Sequence, residues 1–387
     1  MHGSTAVVAA LGAGLLLLMT MSPGLAADRD KDGLYDGFEK RWGVTNPGRK
    51  DSDRDGVIDA AEDNDKDGLS NLGEQRFGTD PGRKDTDRDG INDAKEDKDR
   101  DGRSNGREQD QRPLPANLKP PLGSAKKSFP PIRFKCQTPN GRAKPVSCSF
   151  GSAGSPTRVV LTGDSHAMMW SSPIRRIAES NGWRLTVLTK TACSPVLGIH
   201  TPRQREIDGG VSCRAWRRNV IDRLRANPPE LIVLTSSDSY TLARLNGAAV
   251  PRSKWPATWR KGLKRTLAAY PSRSHVLVLG DVPHNVLNPR ECLVRNSHDM
   301  SACTSPRYHS LTHRIEQAWR EAAKAKGATF RTLSGKICSY KPCPVVQGSV
   351  LIWRNQTHLT NQFALQLTPA MRAHLEDAVT RSAAGRR

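Results

Sequence analysis

Long apolar runs are missing from this chain after its first 27 residues. No later segment approaches the 18 consecutive apolar residues of a membrane-spanning helix. The mature chain is therefore expected to be soluble or peripheral. Cysteine is missing from the first 135 residues. All eight, Cys136, Cys148, Cys193, Cys213, Cys292, Cys303, Cys338 and Cys343, lie downstream. Cys338 and Cys343 lack a second pair with ligand spacing nearby, which argues against a zinc site. Acidic residues are scarce after residue 112. Of 39 Asp and Glu, 25 fall in residues 28–112 beside 18 Lys and Arg, leaving 14 acidic and 42 basic residues elsewhere. A mildly acidic module thus precedes a strongly basic one. Such a surface suits anionic cell-wall polymers or lipid headgroups, or it is simply solvated. No recognised nucleic-acid motif accompanies the charge, so nucleic-acid binding ranks last.

What is present begins with "AVVAALGAGLLLLMTM" followed by the small residues "GLAA". Residues 1–27 read as a secretory signal peptide, although only His2 stands where basic residues are usual. Export to a secreted or cell-surface location follows, and an even cysteine count there favours disulfides.

Residues 28–111 carry an internal repeat: "DRDKDGLYDGFE", "DSDRDGVIDAAE", "DNDKDGLSNLGE", "DTDRDGINDAKE" and "DKDRDGRSNGRE". Asp stands at positions 1, 3 and 5, Gly at 6, Asp or Asn at 9 and Glu at 12. This is the calcium-loop pattern: oxygens at odd positions converge, Gly allows the turn, and Glu closes the site. The candidate ligands are Asp28, Asp30, Asp32, Asp36 and Glu39; Asp51, Asp53, Asp55, Asp59 and Glu62; Asp63, Asp65, Asp67, Asn71 and Glu74; Asp85, Asp87, Asp89, Asp93 and Glu96; and Asp97, Asp99, Asp101, Asn105 and Glu108. Asp51 and Asp63 start loops 12 residues apart, as do Asp85 and Asp97, leaving no room for the flanking helices of EF-hands. A larger unit repeats at 34 residues, from Asp51 to Asp85. The segment resembles the thrombospondin type 3 repeats of secreted bacterial proteins. That resemblance implies a calcium-cored rod with little regular structure, disordered without metal. The plainer alternative is an acidic, disordered stalk. "RPLPANLKPPLGSAKKSFPPI" (112–132) reads as a proline-rich, semi-rigid linker.

From residue 133 to about 382, apolar runs alternate with helical patterns. Strands are expected at 158–163, 183–189, 230–236, 275–281 and 329–333, and helices between them and near 360–380. The pattern predicts a parallel sheet with helices on both faces, with the site at the carboxyl ends of the strands. Ser165 in "VVLTGDSHAMMW" falls there, where backbone N–H groups are free to receive an oxyanion. A helix cap shared with Asp164 is the competing reading. His166 follows it but diverges from it in a tight turn. His358 in "IWRNQTHLTNQF", 193 residues later, precedes the last helix and can return beside the first strand.

"LTGDSHAMMW" and "THLT" resemble the first and last blocks of SGNH hydrolases. "TKTACSP", "CRAWRRNV", "VLVLGDVPHNVLNPRECL" and "KICSYKPCPVV" extend the likeness, in order, to the SGNH domain found fused behind bacterial membrane O-acyltransferases. The resemblance implies a three-layer α/β/α fold, Ser165 as nucleophile and His358 as base. It also implies the bridges Cys193–Cys213, Cys292–Cys303 and Cys338–Cys343, with Cys136–Cys148 left as the fourth. Two positions depart from the family. Asn355 stands where an Asp is usual three residues before the base. "TSSDSY" has no counterpart of the oxyanion asparagine, so Ser236 or Ser237 is the expected donor beside the Ser165 backbone.

The leading reading is an exported serine esterase or O-acyltransferase for O-acyl groups, above all acetyl, of cell-surface glycans. Calcium is its structural ion, and catalysis needs no cofactor. A separate membrane acyltransferase is the implied acyl donor. The second reading is a glycan-binding or structural protein on an SGNH fold weakened by Asn355.

Overall fold

The computed structural model describes residues 27–98, 104–109, 114–244, 246–297, 299–305, 310–338 and 343–384. The expected signal peptide, but for Ala27, and the loop residues Asp99 and Asp101 lie outside them. The chain divides into two units, Met1–Gln111 and Arg112–Arg387.

In the first unit the repeat reads directly as geometry. The position-1 carboxylate closes each loop. Asp51 accepts Arg54 N–H at 2.6 Å on one oxygen and Gly56 N–H at 3.0 Å on the other, and Asp85 does the same for Arg88 and Gly90 at 2.7 and 2.9 Å. The chain turns so sharply that position 4 is left-handed even without glycine: Lys31, Arg54, Lys66 and Arg88 have φ of 60–68°. Position 9 braces the loop rather than aiming only at its centre. Asp36, Asp59, Asp93 and Asn105 each accept the position-2 backbone N–H of their own loop, and the Asn71 amide bonds the Asn64 side chain.

Helices do occur here, contrary to expectation. Asp36–Trp42 and Asn71–Phe77 each start at position 9 and end at a left-handed glycine, Gly43 or Gly78. They lie where the next loop starts 23 or 22 residues on, from Asp28 to Asp51 and from Asp63 to Asp85, and each takes its first turn from the loop itself. Leu34 and Leu69 are buried beside these helices, whereas Val57 and Ile91 at the same position of the intervening loops are exposed.

The second unit is built on a mostly parallel sheet. Its strands are β1 (Gln137–Thr138), β2 (Cys148–Gly151), β3 (Arg158–Gly163), β4 (Arg184–Lys190), β5 (Leu231–Thr235), β6 (His275–Leu279) and β7 (Thr329–Arg331). The order is β1-β4-β3-β5-β6-β7, all parallel, with β2 antiparallel on β4. A small hairpin of β8 (Val346–Gln347) and β9 (Val350–Leu351) stands apart. Period-2 alternation divides the core. Val159, Leu161, Leu231, Val233, Leu277 and Leu279 face helices 165–180 and 361–384. Val160, Ile232, Leu234, Val276 and Val278 face helices 211–226, 255–269 and 310–324. The result is a three-layer α/β/α fold. The five expected strands are β3 to β7, and the pairs left-over from the sequence reading are short edge and hairpin strands.

Four disulfides join Cys136–Cys148, Cys193–Cys213, Cys292–Cys303 and Cys338–Cys343. Residues 114–132 do not run free as a linker would. Leu118 and Ala125 are buried in the core, Lys119 exchanges backbone hydrogen bonds with Ser349 and Leu351, and the Ser128 hydroxyl bonds Gln362 at 2.5 Å. Proline here shapes a strap bound to the unit rather than a spacer.

Candidate active site

β3 ends at Gly163, and the chain turns at once into the helix Ser165–Met169. Gly163 is required: a Cβ there would lie 2.0 Å from the Thr235 carbonyl. β5 therefore crowds against the turn that carries Ser165. Asp164 caps the helix through His166 N–H at 2.8 Å. Its other oxygen accepts Ser236 Oγ–H at 2.7 Å, Ser237 N–H at 2.9 Å and Tyr240 O–H at 2.8 Å. One buried carboxylate thus fixes the loop after β5 against the loop after β3.

His358 arrives from the far end of the chain. Trp353 and Leu359 form an antiparallel bridge, and Arg354 N–H donates to His358 O at 2.9 Å. The tight turn between them sets His358 Nε2 3.0 Å from Ser165 Oγ and His358 Nδ1 3.2 Å from Asn355 Oδ1. The same Oδ1 accepts the backbone N–H groups of Thr357 at 3.1 Å and His358 at 2.9 Å. Those groups can only donate, so the Asn355 atom facing them is the oxygen. His358 Nδ1 faces this oxygen and, at 3.1 Å, the Thr357 hydroxyl; with the proton on Nδ1, Nε2 is free to accept from Ser165. Asn355 fixes the tautomer that an aspartate would, without the charge.

Electrostatics keep His358 neutral. Its pKa lies well below the usual histidine range, first because it is buried, then because His166 and Arg354 are positive beside it. The His166 ring lies 4.4 Å from the His358 ring, centroid to centroid. His166 is not a base for Ser165. Its Nδ1 bonds Asp281 Oδ1 at 2.5 Å, with both side chains 2% exposed. Burial acts to lower His166, but the Asp281 carboxylate overrides it and raises the pKa. Asp281 also accepts His284 Nε2 at 2.9 Å and Asp238 N–H at 2.9 Å. This charged cluster at the carboxyl ends of β5 and β6 escaped the sequence reading; its only signal was "LGDVPH" at a strand end.

Ser165, His166, Asn355 and His358 line a cavity of about 470 Å³. Ser237 and Ser239 reach it and share a hydroxyl bond of 2.7 Å. Ser236 does not: it is fully buried and its hydroxyl is given to Asp164, so of the two expected donors only Ser237 lines the cavity. Ala192 also lines the cavity, in a left-handed conformation (φ 52°) that re-aims the backbone after β4. A larger cavity of about 810 Å³ lies at the amino ends of β6 and β7, but its Ser274 donates to the Pro229 carbonyl and its His275 bonds Thr329.

In the first unit the acidic side chains converge as the pattern predicts. Asp28, Asp30 and Asp32 group together, as do Asp51, Asp53 and Asp55, and Asp63, Asp65 and Asp67; Asp67, Glu74 and Asp93 form a further group across two loops. Buried oxygens of Asp30, Asp32, Glu39, Asp65 and Glu74 lack a hydrogen-bond partner. Burial, then mutual repulsion, pushes Glu39 up to about 7; Glu74 is pushed to about 8 chiefly by burial. Orphaned, crowded carboxylate oxygens fit a hard cation with oxygen ligands.

A family model described as the SGNH domain fused to AT3 domains matches residues 135–373. The chain belongs to the SGNH family. Among solved structures, this SGNH chain is similar to the periplasmic domain of a lipopolysaccharide acetyltransferase from Salmonella ser. Paratyphi A, with 16% identity over 65% of this chain and 94% of that one (TM-score 0.47). It is also similar to Est24, a carbohydrate acetylesterase from Sinorhizobium meliloti, with 12% identity over 57% and 99% (TM-score 0.36). No curated protein is detectably similar in sequence.

Proposed function

We propose that this SGNH protein is an exported serine esterase or O-acyltransferase acting on O-acyl groups of cell-surface glycans. One observation carries the reading: Ser165 Oγ and His358 Nε2 are 3.0 Å apart, with His358 held in the productive tautomer by Asn355. Ser165 Oγ attacks the ester carbonyl as His358 Nε2 takes its proton. The tetrahedral oxyanion forms beside Ser165 N–H, with Ala192 and Ser237 lining the same cavity. It collapses to an acyl-serine as His358 returns the proton to the departing sugar oxygen. Water, or the hydroxyl of an acceptor sugar, then loses its proton to His358 and releases the acyl group. A narrow cleft beside Ser165 is walled by Met168, Met169 and Leu359 and bordered by Arg133 and Arg354. A membrane acyltransferase is the donor this family's usual fusion suggests.

Calcium is the ion that the acidic loops would hold, through the Asp triplets at 28–32, 51–55 and 63–67 and the group of Asp67, Glu74 and Asp93. It would neutralise the crowded carboxylates and order the first unit. Four disulfides favour an oxidising compartment, in keeping with export. The reading is tested by a fluorophosphonate probe and a small acetyl ester: labelling and turnover are expected for the wild type and neither for Ser165→Ala. An unlabelled, inactive wild type would overturn it.

A further inference from the structure

The cavity before Ser165 has an unbalanced lining. Lys126, Arg133, Arg203, Arg290 and Arg354 reach it, and Glu291 is the one carboxylate among them. Two of these cations are held together. The guanidinium carbons of Arg133 and Arg354 lie 3.9 and 4.3 Å from the centroid of the Phe129 ring. Arg354 Nε is buried without a hydrogen-bond partner. Neither arginine has a carboxylate partner among the described residues. Elsewhere in this unit Arg158 is paired with Glu230 and Arg331 with Asp377, and the buried Arg217 donates to the Ser194 and Ile199 carbonyls. Two like charges set over one ring, with nothing opposite, cost stability unless a ligand supplies the anion.

Both arginines also border the narrow cleft at Ser165, so an anion between them is within the same substrate as the ester. Beyond them stands Phe134, 81% exposed, with its ring 5.8 Å from that of Phe129. An aromatic face open to solvent beside a cationic pair suits the apolar face of a sugar ring.

We infer that the substrate glycan is acidic: it carries a carboxylate or phosphate on the acylated sugar or its neighbour, and Arg133 and Arg354 select it. The inference rests on the esterase or acyltransferase reading for the identity of the reacting group, but the binding step does not depend on turnover. Guanidinium is the cation suited to it, since its planar fork offers paired N–H groups to two oxygens and stays charged when half-buried.

The test is equilibrium binding to the full-length protein. The probes are a short oligogalacturonate, a glycerol-phosphate oligomer and a neutral oligogalactan of matched length. Preferential binding of either anionic probe, weakened by added salt, is expected, and the probe that binds identifies carboxylate or phosphate as the source. Arg133→Gln and Arg354→Gln should each weaken it about ten- to hundredfold. The two substitutions lie on separate segments, and thermal melts identify either one that fails to fold. Lys at the same positions should restore part of the affinity. Equal binding of the neutral probe, or undiminished binding by the folded Arg133→Gln variant, overturns the inference. Fluorophosphonate labelling of the wild type, run in parallel, reports separately on the catalytic reading.

Discussion

His358 Nε2 stands 3.0 Å from Ser165 Oγ across 193 residues of sequence, while His166, the neighbour of that serine, turns its Nδ1 away to Asp281. Proximity in sequence and proximity in space are exchanged by the tight turn after β3. The two histidines therefore differ in what their loss should do. His358→Ala is expected to abolish ester hydrolysis with a nearly unchanged melting temperature. His166→Ala takes from the buried Asp281 one of its two histidine partners, leaving His284, and should cost about 3 kcal/mol of stability. Activity assays paired with thermal melts check this; equal destabilisation by both would contradict it.

Asn355→Asp should raise turnover, because a carboxylate stabilises the imidazolium that forms during attack. The gain should fall well short of the about 10⁴-fold lost in a serine protease when its Asp becomes Asn. In that enzyme the amide yields the wrong tautomer, whereas here two backbone N–H groups already hold Oδ1 toward His358. Steady-state kinetics on the wild type and Asn355→Asp decide it. A loss of turnover would mean that the charge disturbs the turn more than it assists the base.

The pH profile follows from the lowered pKa of His358. The base must be neutral, so activity rises as pH rises through that depressed value. The acid limb of kcat/KM should lie well below pH 6.5, with a plateau through neutrality. Stability follows the same sign: a lowered folded pKa means that the contribution is complete above about pH 6.5 and is lost as pH falls below it. An acid limb centred at or above 6.5 would show that His358 is not the titrating base.

Chelation should act on the first unit alone. Limited proteolysis of the full chain is expected to cut within residues 28–111 after calcium removal and to spare the disulfide-tied second unit. Calcium should restore protection. Protection that ignores chelator would remove calcium from the account.

The parallel sheet was legible because β3 to β6 are mostly buried apolar runs, where composition and alternation speak plainly, whereas the edge strand β7 buries only Phe330. The meeting of Ser165 with His358 was expected from short motifs at strand and helix ends. Asp281, His284 and Ala192 were not. Their roles depend on which loops meet at the carboxyl ends of the strands, and no local pattern encodes that meeting. The segment 112–132 was misread for a related reason: its prolines suggest a spacer, but whether a strap docks is decided by the surface it meets, here the core around Leu118 and Ala125. The helices at Asp36 and Asn71 were missed because the calcium-loop pattern and a helix start share the same four residues.

The family match begins at residue 135, yet Phe129 and Arg133 lie before it and form part of the cavity wall. A gene fragment trimmed to the family boundary would keep Ser165, His358 and Asn355 and would lose that wall. If the wall selects the glycan as proposed, such a fragment would turn over a small acetyl ester but no longer discriminate between acidic and neutral glycans.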